Sequence, residues 1–327
     1  MRTPDGPEPT PAPVPRVGFL GPGFPDVRGK LREAMPGVEL VEIAEDGSDA
    51  VPVDVLVPLG GRVDAAVLDR ARPRLVQQFG VGLQGVDMAA ARARDVPVAN
   101  LPGAAGNAVA VAEMAMLLLL GVRREIGALA ESVAARAVGR PIGTMVAGST
   151  ATVLGLGAIG AALVPRLAAF DVSVIGVGRR DRSAYPAVDA LLPPGDVLPV
   201  DRLDEALARS DALLVCTPLT EDTRALVDAG RLAALRPGAV VVNVGRGPVL
   251  DRDALRSALA SGHLAGAGLD VAWEEPIDPD DPLFEHNVLV TPHVAGVTEQ
   301  SYRRMATAFA ANVDRLGRGE PLENLHP

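Results

Sequence analysis

Short apolar runs alternate with segments of helix-like apolar spacing along most of this chain. In the first part of the chain, apolar runs predict strands over residues 17–20, 38–43, 53–57 and 75–79. A second series predicts strands over 152–154, 172–177, 212–216, 240–244, 268–271 and 288–291, with a helix over 158–170. Strands that alternate with helices favour parallel sheets with helices on both faces. We therefore expect an α/β fold of two Rossmann-like domains with parallel sheets and a cleft between them.

The two series are separated near Asn100-Leu101-Pro102-Gly103, where the alternation stops. One long helix with an apolar face is predicted to follow over 109–129, and another helix is predicted near the end of the chain over 299–316. Residues 1–15 are rich in proline and lack the apolar core of a signal peptide, so we expect a disordered leader there. We predict a first domain over 16–104 and a second domain over 105–295, and the closing helix could return to pack on the first domain.

Composition narrows the expected partners and location. The chain has 327 residues, 48% of them hydrophobic, and a net charge of −10. Nucleic acids and anionic membrane surfaces bind basic faces, so neither is an expected partner. The longest apolar run, residues 114–120, is far shorter than the roughly 20 residues of a membrane span. Cys216 is the only cysteine, which excludes an intramolecular disulfide, predicts a buried thiol and favours a cytoplasmic location.

A glycine-rich turn, Gly155-Leu156-Gly157-Ala158-Ile159-Gly160, follows a predicted strand and opens a predicted helix. In this context the first glycine permits the tight turn, the second lets the backbone approach a pyrophosphate, and the third lets the helix pack on the strand. The N–H groups at the start of the helix favour phosphate groups. The pattern therefore predicts a dinucleotide site at Gly155, Gly157, Ala158, Ile159 and Gly160, although elsewhere the same pattern is often only a structural turn.

The end of the next predicted strand bears on which dinucleotide is bound. Domains that bind NAD(H) carry a carboxylate there, which hydrogen-bonds the ribose. This chain has Gly178-Arg179-Arg180 instead. Gly178 is expected to leave room for a 2′-phosphate, and the two guanidinium groups are expected to bind it. NADP(H) is therefore favoured and NAD(H) remains possible, with a solvated arginine pair in a loop as the alternative.

Three side chains farther along the chain provide the groups needed to reduce a 2-keto acid. Arg246 follows a predicted strand, where its planar guanidinium can hold a carboxylate. His293 follows the last predicted strand, and a hydrogen bond from Glu275 to one ring nitrogen would fix the tautomer and stabilise the imidazolium. The other ring nitrogen could then donate a proton to a carbonyl oxygen. Taken singly, Arg246 could be a surface arginine and His293 a structural histidine.

These residues belong to a longer set of motifs that resembles the D-isomer-specific 2-hydroxyacid dehydrogenases. The motifs are Gly80-Val81-Gly82, Asn100-x-Pro102-Gly103, Val111-Ala112-Glu113, the Gly155 turn, Cys216-Thr217-Pro218-Leu219-Thr220, Asn243-Val244-Gly245-Arg246-Gly247, Leu269-Asp270-Val271, Glu275-Pro276 and Thr291-Pro292-His293-Val294-Ala295-Gly296. The resemblance implies that Arg246 binds the carboxylate and carbonyl of the substrate. It also implies that His293 is the acid/base and that Glu275 is its partner.

The same resemblance implies further contacts. The backbone of Val81 and Gly82 is expected to help hold the substrate carboxylate, and Asp270 is expected to contact the nicotinamide amide. Thr217, Pro218 and Val244 are expected to line the cofactor site, and no metal ion is expected. The resemblance also implies that the first domain, 16–104, is discontinuous, is completed by 296–327 and binds substrate. The 105–295 domain is then the dinucleotide-binding domain, and dimers form through it.

We therefore expect an oxidoreductase that transfers a hydride between a nicotinamide cofactor, with NADPH favoured, and a small 2-keto or D-2-hydroxy acid such as glyoxylate or hydroxypyruvate. An NAD(P)-binding, corepressor-like sensor of the same superfamily is the alternative, since such proteins resemble the enzymes closely. The apolar helix around 114–120 favours a homodimer, with a helix of the intramolecular core as the alternative. Gln84-Gly85 and Ala108 depart from residues common in the family, so the sequence does not name the substrate. Arg62 is expected to be a solvated arginine, and the alternative is that it reaches a second anionic group on the substrate.

Overall fold

The computed structural model describes residues 15–102, 106–180, 182–193 and 195–326. The chain folds into two compact units: the first runs to Asn107 and resumes at Glu299, and the second spans Ala108–Thr298. These divisions lie close to the predicted domain boundaries, and the functional roles assigned to the two domains stay predictions. The leader predicted over residues 1–15 lies outside the described residues except for Pro15.

The first unit is built on a single six-stranded sheet. Its strands are β1 (Arg16–Leu20), β2 (Glu39–Ile43), β3 (Val55–Pro58), β4 (Leu75–Gln77), β5 (Val98–Ala99) and β13 (Leu325–His326). They lie in the order β13-β5-β4-β3-β1-β2, and only the β13–β5 pair is antiparallel. The central strand β3 is buried along its whole length, as expected for a parallel strand covered on both faces.

Four helices of the first unit lie around this sheet in its described residues: α1 (Val27–Ala34), α2 (Ala65–Ala71), α3 (Met88–Arg92) and α11 (Glu299–Arg318). The last of them, α11, packs against α1 and so returns the chain to the first unit. The buried side chain of Asn312 donates to Oε1 of Gln77 at 2.9 Å and to the carbonyl of Glu323 at 3.0 Å. It therefore ties the segment after α11 to the end of β4.

The second unit is built on a seven-stranded sheet in which all neighbouring strands are parallel. Its strands are β6 (Thr150–Leu154), β7 (Ser173–Gly178), β8 (Val197–Pro199), β9 (Ala212–Val215), β10 (Ala239–Asn243), β11 (Leu264–Leu269) and β12 (Val288–Val290). The order is β12-β11-β10-β9-β6-β7-β8. Two apolar clusters form its core, one around Leu118 and Leu163 and the other around Leu213 and Leu255.

The helices of the second unit are α4 (Ala108–Arg123), α5 (Leu129–Ala134), α6 (Ala158–Ala169), α7 (Pro186–Asp189), α8 (Leu203–Leu207), α9 (Ala229–Ala234) and α10 (Arg252–Ala260).

The single helix predicted over 109–129 is wrong at its end, because α4 stops at Arg123. Glu125 has a left-handed backbone (φ 50°), and a 3-10 turn over Ile126–Ala128 precedes α5. The apolar spacing continues across this break, so hydrophobicity alone did not reveal it.

Strand β11 begins at Leu264, earlier than the predicted 268–271. The prediction began too late because glycines interrupt the apolar pattern of this strand. A Cβ on Gly268 would lie 2.8 Å from Cβ of Leu118, and one on Gly266 would lie 2.6 Å from Val122. Both glycines therefore let α4 lie close to the sheet.

The predicted α/β fold with two Rossmann-like parallel sheets is confirmed. Within the described ranges, no helix combines the length and apolar character that crossing a membrane requires.

Candidate active site

The glycine-rich turn joins β6 to α6, and its glycines are needed for different reasons. Gly155 has φ +102°, and a Cβ there would lie 2.9 Å from the backbone after β9. A Cβ on Gly160 would overlap the carbonyl of Gly155, so glycine lets α6 approach the strand. Gly157 is the N-cap of α6, has no side-chain cap, and has open space at its Cβ position. Together with Ala158–Ile159 in the first helical turn, it forms a cradle that fits a pyrophosphate.

Arg246 follows β10 in a turn that Asn243 shapes. The buried amide of Asn243 donates to the carbonyl of Arg246 at 3.0 Å and accepts the N–H of Gly245 at 3.0 Å. A Cβ on Gly247 would overlap the carbonyl oxygen of Ala272, so glycine is required for the turn to lie against the loop after β11. Because that loop carries Glu275, the close approach brings the cation of Arg246 within electrostatic reach of a carboxylate.

The guanidinium of Arg246 is half-buried and donates from Nη1 to the carbonyl of Gly245 at 2.7 Å. Burial lowers the pKa of Arg246, although the charge of Glu275 opposes the shift. An arginine stays protonated in proteins despite such shifts. Arg246 is therefore a permanent cation with several further N–H donors in one plane, as carboxylate binding requires.

His293 and Glu275 are joined by a hydrogen bond: Nδ1 of the histidine lies 2.8 Å from Oε2 of the glutamate. The other oxygen, Oε1, accepts the backbone N–H of Ala272 at 3.1 Å. Burial raises the pKa of Glu275, but the hydrogen bonds from His293 and Ala272 and the nearby positive charges outweigh it, so the pKa lies below its ordinary value of 4.5. Glu275 is therefore ionised at neutral pH and can accept a hydrogen bond from the N–H at Nδ1 of His293.

Asp270 holds the turn on which His293 lies. His293 has a left-handed backbone (φ 54°), which is uncommon outside glycine. The buried carboxylate of Asp270 accepts the hydroxyl of Thr291 at 2.6 Å and the N–H groups of Val294 at 3.0 Å and Ala295 at 3.1 Å. Its carbonyl accepts the N–H of His293 at 2.8 Å. Burial raises the pKa of Asp270 against the effect of these hydrogen bonds, and its contact with the nicotinamide amide stays a prediction.

The other residues predicted to line the cofactor site lie at neighbouring strand ends. Thr217 and Pro218 follow β9, next to Gly155. Val244 is buried, and its N–H donates to the carbonyl of Val215 at 3.1 Å. Cys216 is buried as expected, and burial raises the pKa of its thiol to about 12, so it is neutral at physiological pH. Among the described residues, no three His, Cys, Asp or Glu side chains are placed to hold a metal ion.

At the end of β7, Gly178 is buried while Arg179 and Arg180 are exposed. The prediction that Gly178 leaves room beside it is wrong, because the hydroxyl of Tyr185 lies 2.5 Å from the position of a Cβ there. The same hydroxyl accepts the backbone N–H of Arg180 at 3.0 Å. Sequence reasoning missed Tyr185, since a glycine gives no signal about which distant side chain fills the space next to it.

Val81 and Gly82 belong to the first unit, where they follow β4. The buried amide of Asn100 donates to the carbonyl of Val81 at 2.7 Å and so holds this loop against the end of β5. Arg62 follows the neighbouring strand β3 and is exposed. The two loops share the carboxyl edge of the sheet, because β3 and β4 are adjacent and parallel. Substrate binding by Val81 and Gly82 stays a prediction.

Comparison with known proteins places these residues in a family. Residues 116–295 match the family of D-isomer specific 2-hydroxyacid dehydrogenases at its NAD binding domain. The chain belongs to the D-isomer specific 2-hydroxyacid dehydrogenases. The resemblance inferred from the motifs is thus confirmed, and the second unit contains the domain of this family that binds a nicotinamide dinucleotide.

Three relatives within the family illustrate its range. D-3-phosphoglycerate dehydrogenase from Mycobacterium leprae is 39% identical over 270 residues, which are 81% of this chain and 49% of the relative. Glyoxylate reductase from Thermofilum pendens is 33% identical over 81% of this chain and 78% of its own length. The crystal structure of an NADPH-dependent glyoxylate/hydroxypyruvate reductase from Sinorhizobium meliloti, in complex with NADP and malonate, has a TM-score of 0.80 and 30% identity, covering 95% of this chain and 96% of that one.

The chain spans about half the length of the phosphoglycerate dehydrogenases that it matches, at 49% of the Mycobacterium leprae protein. It covers most of the glyoxylate reductase and nearly all of the glyoxylate/hydroxypyruvate reductase. Family membership is therefore established, whereas the reaction and the substrate of this member are matters for proposal.

Replacing Asp270 tests whether its carboxylate holds the histidine turn. Asp270→Ala leaves the half-buried N–H of Val294 and the buried N–H of Ala295 without these acceptors, and we expect a loss of roughly 2–4 kcal/mol in the free energy of unfolding. Asp270→Asn retains one oxygen acceptor and should lose less. Trp273, the only tryptophan, lies in the same unit, so its fluorescence during urea unfolding is a suitable probe. Equal stability of wild type and Asp270→Ala would contradict the assignment.

Proposed function

We propose that this chain transfers a hydride between a nicotinamide cofactor and a small 2-keto or D-2-hydroxy acid, such as glyoxylate or hydroxypyruvate. The observation that carries the proposal is the hydrogen-bonded pair of His293 and Glu275 beside the cation of Arg246. These side chains follow three neighbouring strands, β10, β11 and β12, of the sheet that also carries the glycine-rich turn. Carboxyl ends of parallel strands are where such sheets bind ligands.

Arg246 is proposed to bind the substrate carboxylate through paired N–H donors and so to orient the keto group. His293 is proposed to donate a proton from Nε2 to the carbonyl oxygen. Glu275 is proposed to accept a hydrogen bond from Nδ1 of His293. It thereby sets the orientation and tautomer of the ring and stabilises the imidazolium. A bound reduced nicotinamide supplies the hydride that the carbonyl carbon accepts. In the reverse direction, His293 takes the proton of the hydroxyl.

NADP(H) is proposed as the favoured cofactor, with NAD(H) possible. No carboxylate stands at position 178, and neither Arg179 nor Arg180 forms an ion pair with any residue that the structure describes. Both guanidinium groups are exposed and can bind a phosphate. The NADPH dependence named for the Sinorhizobium meliloti relative supports this choice.

We also propose a homodimer formed through the cofactor domain. An exposed apolar patch on the second unit, here called the α4 patch, comprises Leu117, Ile126 and Leu129, of which Leu117 is 52% exposed. Glu113 and Arg124 border it. An exposed apolar patch bordered by polar residues suits a second copy of the chain. A cytoplasmic location stays a prediction, supported by the single buried cysteine.

His293→Ala tests the reaction itself. Oxidation of NADPH and NADH should be followed with glyoxylate, hydroxypyruvate and a panel of other 2-keto acids. Loss of the general acid should lower kcat by on the order of 10²- to 10⁴-fold, whereas His286→Ala serves as a matched control and should leave kcat unchanged. Wild-type turnover in His293→Ala would contradict the role of His293. Dinucleotide binding without turnover of any keto acid by the wild type would favour the corepressor-like alternative.

Glu275→Gln tests the pairing through pH dependence. The pKa of Glu275 lies below 4.5, so its carboxylate is lost only in acid and the pairing should persist across neutral pH. Without the negative charge, the imidazolium is less stable, and keto-acid reduction should decline at lower pH in the variant than in the wild type. The measurement is kcat/KM for reduction across pH, with the exposed neighbour substitution Glu274→Gln as control. An alkaline decline at the same pH in both Glu275→Gln and wild type would refute the pairing.

Leu117→Glu tests the dimer. Light scattering of the wild type should give twice the monomer mass of 33.7 kDa, and a charge in the α4 patch should shift the equilibrium toward monomer. Leu191→Glu is the matched control, because Leu191 is 50% exposed but lies outside the patch. A monomeric wild type at micromolar concentration would overturn this proposal.

A further inference from the structure

The hydroxyl of Tyr185 lies where the side chain of an acidic residue at position 178 would begin. A Cβ built on Gly178 lies 2.5 Å from Oη of Tyr185 and 2.6 Å from Cζ. Position 178 ends β7, the second strand of the dinucleotide-binding unit and the usual place of the ribose-binding carboxylate. Tyr185 therefore puts a neutral hydroxyl at the place where NAD(H)-binding domains have an anion.

This hydroxyl has a proton to donate. It accepts the backbone N–H of Arg180 at 3.0 Å, and because a phenol is both donor and acceptor, its own O–H remains able to donate. The guanidinium of Arg180 lies over the ring of Tyr185, 5.9 Å from its centroid. A neutral donor next to two exposed arginines complements a phosphate, whereas a carboxylate would repel it.

The segment that carries Tyr185 is fixed before any ligand binds. The ring packs against the apolar core of the second unit. Arg182 donates to the carbonyls of Asp189, Leu192 and Pro193 at 2.7–2.9 Å, which ties the 3-10 turn before Tyr185 to the end of α7. These contacts hold the hydroxyl in place, which lowers the entropic cost of binding at this point.

We propose that Tyr185 is a specificity-determining residue that donates its O–H to the 2′-phosphate of NADP(H), together with Arg179 and Arg180. The proposal rests on the proposed use of a nicotinamide dinucleotide. The contact also bears on position 178: in Gly178→Asp the new side chain would overlap Tyr185, so the tyrosine must move before an NAD(H) site can form there.

Tyr185→Phe removes the donor and keeps the ring. Calorimetric titration should show NADP⁺ and adenosine 2′,5′-bisphosphate binding about tenfold more weakly, as expected for a lost hydrogen bond to a charged group. Affinities for NAD⁺ and AMP, which lack the 2′-phosphate, should stay within about twofold. Tyr302→Phe is the matched control, because Tyr302 is the only other tyrosine, belongs to the first unit, and should leave all four affinities unchanged.

A second set of variants tests the overlap. Gly178→Asp alone should weaken NAD⁺, because the new side chain overlaps Tyr185, and should weaken NADP⁺ further, because the carboxylate repels the 2′-phosphate. Gly178→Asp with Tyr185→Ala makes space for the carboxylate, so it should restore the binding of NAD⁺ while NADP⁺ stays weak. An NAD⁺ affinity of Gly178→Asp equal to that of the wild type would overturn the overlap with Tyr185 on which the proposal is built.

Two results with Tyr185→Phe would also overturn it: an unchanged affinity for NADP⁺, or an equal loss for NADP⁺ and NAD⁺, which would indicate a packing role only. Because binding is measured directly, this test is independent of turnover. A wild type that binds neither dinucleotide would refute the proposed function together with this inference. A wild type that binds NADP⁺ and is insensitive to Tyr185→Phe would refute the inference alone.

Discussion

The carboxylate of Asp270 is buried at the end of β11, and the geometry of the candidate active site depends on its hydrogen bonds. Its side chain accepts from Thr291, Val294 and Ala295, and its carbonyl accepts from His293. Its N–H donates to the carbonyl of Asn243 at 3.0 Å, at the start of the turn that leads to Arg246. One residue thus links the cation-bearing turn to the histidine-bearing turn. Burying a carboxylate is costly, and the hydrogen bonds to its side chain offset part of that cost.

Close approach of backbone segments is the second constraint, and glycine makes it possible. Gly247 lets the turn after β10 meet the loop after β11, and Gly160 lets α6 meet the end of β6. In both places a single Cβ would overlap a carbonyl oxygen. The charged residues of the site therefore depend on neighbours that carry no side chain at all. Gly157 differs, because no neighbour crowds its Cβ position and the N-terminus of α6 is open there, as the predicted pyrophosphate site requires.

At the end of β7, a glycine changes indirectly which chemical group faces the predicted cofactor site. Removing the side chain at position 178 does not leave empty space, because Tyr185 from the following segment occupies it. A neutral hydroxyl next to Arg180 thereby lies where NAD(H)-binding domains have a carboxylate. The charge at the end of β7 thus depends on the tertiary contact with Tyr185 as well as on the residues of the strand.

The sequence by itself determined the parallel α/β fold and the chemical groups of the site. Alternating apolar runs predicted nearly all of the central strands, and motif spacing identified Arg246, Glu275 and His293, because strand ends and glycine turns are encoded locally. Only the tertiary structure decided that the helix after residue 108 stops at Arg123, that β11 starts before its glycines, and that Tyr185 fills the space at Gly178. Each of these depends on what packs against a residue from elsewhere in the chain. A periodic pattern records which face is buried, but it does not record which side chain is buried against it.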